Sequence, residues 1–147
     1  MALLDDVGSY LCAATSAFSL VAGTAGAGNL MKAQMLDNAK TPDTVVGLYE
    51  TAGWAPQWVF STGSTSPAYE IAGLQVISRS TSYQTAKDYA YRAYRILDYV
   101  AGQKLPTATG IMYQRIAAVG PPFAIGQDQN GRFLLSCNFD VTKTRGS

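Results

Sequence analysis

The sequence predicts an α+β fold: a mostly antiparallel sheet of four to five strands with two main helices packed on one face. Three observations carry this expectation. The run from Tyr83 to Val100 has helical periodicity, and the run from Arg132 to Val141 alternates strictly after an Asn130-Gly131 turn. Hairpin connections also dominate an element order of helix, strand, strand, helix, strand, strand, which suits one sheet covered by helices. At 147 residues the expectation is one domain spanning 1–147, long enough to bury a core.

The elements follow in order. In LLDDVGSYLCAA, Leu3, Val7, Tyr10, Leu11 and Ala14 form one helical stripe. Asp5 and Asp6 sit in its first turn, where negative charge complements the helix dipole. This helix should die out near Gly23, in the run GTAGAGN, and LMKAQMLDNAKTPD should be part strand and part loop. VVGLYE, Val45 to Glu50, reads as a short strand, and GLQVISRS reads as a second with both faces partly covered. The second helix has Ser82 as N-cap and an apolar stripe of Tyr83, Ala86, Ala90, Ala93, Tyr94, Leu97 and Val100, with Gly102 at its stop. IMYQRIAAV then leads through Pro121-Pro122, which belong at a bulge or an edge, to the last strand. There Phe133, Leu135, Cys137, Phe139 and Val141 face the core, and Arg132, Leu134, Ser136, Asn138 and Asp140 face away. Asn130-Gly131 accepts the positive φ of a tight turn.

Composition narrows the function. Charged residues make up 14% of the chain, against an average of roughly 25%, which favours a protein that assembles. The net charge of +1 leaves no basic excess for a dedicated nucleic-acid binder. No histidine is present, which removes the commonest general base and histidine-based zinc sites. No spacing suggests a metal, and no cofactor is expected. Cys12 and Cys137 lie in apolar settings and read as buried thiols rather than a disulfide. The uncharged run between Asp6 and Lys32 is diluted by Ser, Thr and Gly, so it reads as an interior helix running into a glycine loop and not as a membrane span. Gly23, Gly26 and Gly28 lack the order, the preceding strand and the Gly-Lys-Ser/Thr ending of phosphate-binding loops, and a plain connector explains them better. The tyrosines at 83, 89, 91 and 94 point in several directions, so packing and subunit contact suit them better than base stacking.

One segment resists a plain reading. Between Glu50 and Glu70 there is no charge, yet two tryptophans, a phenylalanine and two prolines lie among Ser, Thr and Gly. It reads as a long uncharged loop at about 52–69. Such a loop either buries its aromatics in its own domain or meets another chain, since interface cores are rich in Trp and Tyr and poor in charge. Trp54, Pro56, Trp58 and Phe60 are the candidate assembly interface.

Several stretches in order carry a resemblance: LLDDVGSYL, the glycine connector into NLMKAQM, VVGLYETAGWAP, GLQVISRS, YQTAKDYAYRAYRILDYV and YQRIAAVGPPFAIGQDQNGRFLLSCNFDVTKTR. Together they resemble the tail terminator (minor capsid) proteins of long-tailed bacteriophages. The extra uncharged length after Trp58 departs from that pattern. The resemblance implies a virion protein without catalysis, residing in the tail or neck and in the host cytoplasm during assembly. It implies a homohexameric ring on the head-proximal end of the tail tube, which stops polymerisation and presents a head-joining surface. The implied partners are further copies of the chain, the tail tube protein and a head-completion or neck protein. DNA would pass through the lumen without sequence-specific binding. The alternatives are another neck component, such as a head-completion protein, and a small ligand- or nucleotide-binding module using the Gly23–Gly28 loop.

Overall fold

Phe133–Thr144 is the strand around which the molecule is built, because it pairs along both edges. The computed structural model describes residues 2–18, 28–35, 42–57, 69–105, 107 and 110–144. In chain order the elements are α1 (Ala2–Ala14), β1 (Leu30–Lys32), β2 (Val45–Gln57), β3 (Tyr69–Ser80), α2 (Tyr83–Leu97), β4 (Ala101–Leu105), β5 (Ile111–Ala118), β6 (Phe123–Gln127) and β7 (Phe133–Thr144). The sheet has seven strands in the order β1-β2-β3-β7-β5-β4, with β6 also beside β7. β1 and β2 run parallel; the other pairs are antiparallel.

Alternation dictates which side chains meet the helices. The register Leu48↔Val76 and Val76↔Cys137, with Leu74↔Phe139 and Ile116↔Val141, aligns these side chains across four strands on one face. Leu4, Val7 and Leu11 of α1 and Ala93 and Leu97 of α2 bury themselves in the same cluster, so both helices cover that face. α2 approaches closely where its residues are small. Ala86 and Ala90 are fully buried against Leu135, and the buried Ser78 hydroxyl donates to the Ala86 carbonyl at 2.7 Å. Ser82 caps α2, its hydroxyl accepting the Thr85 N–H. Tyr83, expected in the buried stripe, is 44% exposed and meets the ring of Phe133 edge-on.

The α1 carboxylates do more than complement a dipole. Asp5 pairs with Lys32 of β1. Asp6 accepts the hydroxyl of the buried Tyr113 of β5 at 2.8 Å. The helix is thereby pinned to strands near both ends of the sheet. The opposite face is partly covered: Met31, Met35 and Val45 cluster there, and the Arg79 guanidinium donates to the carbonyls of Pro42 and Asp43.

Three expectations are corrected. The sheet has seven strands rather than four to five. β4 and β6 were missed because AGQKL and FAIGQ carry glycine, whose permissive backbone signals a turn as readily as a strand. α1 ends at Ala14 rather than near Gly23; Thr15 begins an irregular turn in which its hydroxyl accepts the Ala17 N–H. The loop expected at about 52–69 is strand as far as Gln57, since backbone pairing to β3 continues through two irregularities despite the glycine and proline. Residues 58–68 of that loop, and Gly23 and Gly26, lie outside the described residues.

β5 and β6 share one edge of β7, and the break between them falls at Val119–Pro122. Pro121 and Pro122 therefore sit between strands, where no ladder bond is lost. The Val119 N–H donates to Asn138 and the Cys137 thiol donates to the Gly120 carbonyl, at 2.9 and 3.4 Å, closing the gap.

Candidate assembly surface

The uncharged stretch after Glu50 begins as an exposed strand end. Thr51, Ala52, Gly53 and Trp54 are all exposed, and the register with β3 shifts between Thr51 and Trp54. Two glycines permit the close approach this needs. A Cβ on Gly53 would lie 2.0 Å from the Ile71 carbonyl oxygen, and one on Gly73 would lie 2.1 Å from the Thr51 hydroxyl. Trp54 then reaches across β3, and its indole Nε1 donates to the Asp140 carboxylate on β7 at 3.2 Å. The hydrogen bond fixes the ring's polar edge while 67% of the residue stays in water. Trp is costly to leave so exposed and is favoured where a partner covers it.

Beside Trp54 is an open cleft of about 420 Å³ lined by Leu3, Glu50, Glu70, Gly73 and Lys143. Lys143 is buried and pairs with Glu70, so its charge is spent within the subunit. Of the four candidate interface residues, Trp54 is exposed and Pro56 lies within β2; Trp58 and Phe60 lie outside the described residues.

A second exposed apolar group was missed by sequence reasoning. Val119, Phe123 and Ile125 are 68%, 49% and 45% exposed around β6. In FAIGQ, apolar residues at every second position match a core-facing strand, and periodicity does not say which face is covered. Glycine at 126, with φ of 118°, was the available signal that the strand is irregular.

A groove of about 680 Å³ runs along the outer face of α2, lined by Gln84, Lys87, Asp88, Tyr91, Arg92 and Arg95. Lys87 and Arg95 lie over the Tyr91 ring at 5.8 and 5.5 Å, a cation–π stacking of ordinary surface side chains. Among the described residues no group of His, Cys, Asp and Glu could hold a metal ion. Nor, among them, is any helix long and apolar enough to cross a membrane. Neither cysteine is in a disulfide; Cys137 is buried and Cys12 half-buried. Burial, and then the nearby Asp98 carboxylate, push the Cys137 thiol up to about 11, which makes it inert as a nucleophile.

Comparison with known proteins gives the context for such a surface. A family model described as bacteriophage tail terminator protein matches residues 30–145. No curated protein matches the chain. Among solved structures, a chain from the virion of a native gene transfer agent particle is similar, with a TM-score of 0.54 and 14% identity. The similarity covers 98% of this chain and 96% of that one, and at this identity it shows a shared fold.

Proposed function

The chain belongs to the bacteriophage tail terminator protein family, a family of structural, non-enzymatic proteins of the virion tail, and from that premise we propose that it closes the tail tube. In this reading six copies form a ring on the head-proximal end of the tube. The ring stops further polymerisation and offers the head-completion or neck protein a surface to join. DNA passes through the lumen without its sequence being read.

The single observation that carries the reading is the family match over residues 30–145, spanning every strand of the sheet. The chemistry of the surface supports it. A subunit that meets two neighbours, the tube and the neck has little surface left to keep in water, so few charges are needed. Several of the charges present are also used internally: Lys32, Arg115, Arg132 and Lys143 all pair with carboxylates of their own chain. Trp54, Pro56, Trp58 and Phe60 are assigned to contact with the tube or an adjacent subunit, where burying aromatic and apolar groups favours association.

Negative-stain imaging of tails made with and without the protein tests the reading. Overlong tubes in its absence are the expected outcome. Tails of normal length that fail to acquire heads would overturn it in favour of a neck component.

A further inference from the structure

Residues along a strand of a half-covered sheet alternate between covered and exposed. Two strands here break that rule. Four successive residues of β2, Thr51 to Trp54, are exposed, and so are all five of β6. Among the described residues each is also paired along one edge only. β1 accompanies β2 no further than Leu48, after which β2 pairs with β3 alone, and β6 pairs with β7 alone. Among the described residues, no ladder occupies the other edge of either segment.

Natural sheets guard such edges with lysine, proline or a bulge, because an open edge is a template for another strand. β4 follows the rule, carrying the exposed Lys104 and a Gly102 at φ 60°. β6 is guarded only by an irregularity in its register between Ala124 and Gly126: FAIGQ has no charge and no proline, and it displays Phe123 and Ile125. The Thr51–Gln57 segment has no charge either; its guards are Pro56 and the two irregularities in its register with β3, and it displays Trp54. Along the path β2-β3-β7-β6 these two edges are the opposite ends and point in opposite directions, roughly 14 Å apart at about 4.8 Å per strand. The registers also offset them lengthwise, Trp54 lying level with Thr142 of β7 and Phe123 with Ser136.

Two different open edges on opposite sides of one chain are what a head-to-tail contact requires, and such a contact closes into a ring when its rotation permits. The occupant follows from the same facts. An open strand edge is satisfied by another open strand edge, and each copy of this chain offers one of each kind. We infer that β6 of one subunit adds edge-to-edge to the Thr51–Gln57 segment of the next, carrying the sheet across the subunit boundary. Main-chain hydrogen bonds supply the join, and Phe123 and Ile125 share their burial with Trp54 of the partner subunit. The inference rests on the ring reading and specifies its interface.

Two exposed residues allow a test that leaves the core untouched: Ile125→Lys guards the β6 edge and Ala52→Lys guards the β2 edge. The wild type is concentrated until sedimentation shows assembly, and each variant, checked by circular dichroism for an unchanged fold, is run alone and in an equal mixture. Each variant alone is expected to remain monomeric. The mixture retains one intact pair of edges and should stop at a dimer of about twice the 15.6 kDa chain. Dimers formed by either variant alone would mean like-to-like pairing and overturn the inference. So would a wild type that assembles while both variants assemble equally well, which leaves the ring itself standing. A wild type that never assembles, on its own or on tail tubes, would remove the ring reading and the inference together.

Discussion

Cys137 stands at the seam of the sheet, where β7 passes from β6 to β5, and its chemistry follows from that position. Its side chain is buried on the helix face and its thiol donates to the Gly120 carbonyl, so ionising it would place a charge in an apolar layer. With a folded pKa of about 11, roughly one molecule in a thousand carries the thiolate at pH 8. Iodoacetamide at that pH should therefore label the half-buried Cys12 well before Cys137, which reacts only after unfolding. The same shift has a consequence for stability. The unfolded thiol titrates near 8.5, so the folded state's hold on the proton contributes fully below that pH. The contribution is lost as pH rises from there towards about 11. Tyr113, raised first by burial and then by its hydrogen bond to Asp6, adds a further loss above about pH 10. Urea midpoints should be level between pH 7 and 8 and fall from pH 9 upward, with a shallower fall in Cys137→Ala. An identical alkaline slope in that variant would show that another group is responsible.

At the scale of the element, the β6–β7 hairpin shows how far local chemistry sets a boundary. Asp128 receives the N–H groups of Asn130 and Arg132 at 2.9 Å each, and the Arg132 Nε at 2.7 Å. Gly131 holds φ at 74°, in the left-handed region that side chains with a Cβ avoid. Gly131→Ala should cost about 1 kcal/mol, measured by chemical denaturation. Gly120→Ala is the control: open space surrounds its Cβ position and its φ is not positive, so little change is expected. Equal losses in the two variants would refute the conformational account. This turn was legible in the sequence because Asn-Gly states its own geometry. β7 and α2 were legible too, since a twelve-residue alternation and a fifteen-residue helical stripe each repeat their signal several times. β4 and β6 were not. They have five residues each, too few to establish a period, and their strand identity comes from neighbours distant in sequence. The end of β2 was hidden for a related reason. Gly53 and Pro56 signal a loop locally, while Gly73, twenty residues on, makes room for the strand.

The molecule as a whole has a stable centre and open flanks, and that contrast yields its most direct test. β3 and β7 pair over twelve registered positions, from Tyr69↔Thr144 to Ser80↔Phe133, and both carry neighbours on their far sides. Their amides are shielded in the lone subunit. The 51–57 and 123–127 segments are paired on one side and exposed on both faces where side chains are described. Local opening is easy where few apolar contacts oppose it, so amides there should exchange quickly in the free protein. The sequence singled out Trp54 as an aromatic among uncharged residues and left open whether its own domain or another chain covers it; in the lone subunit the ring is exposed. Phe123 and Ile125 gave no such notice, because their spacing matches a core strand and the sheet on which they sit had first to be known. Hydrogen exchange followed by peptide mass analysis, on the free protein and on assembled tails, distinguishes centre from flank. Protection of β3 and β7 should be high in both states, whereas 51–57 and 123–127 should gain protection together on assembly, since one contact covers both. Strong and equal protection of those segments in the free protein would show that the subunit already satisfies its own edges. A gain in one segment alone would break the pairing while leaving that segment as a contact to the tube or the neck.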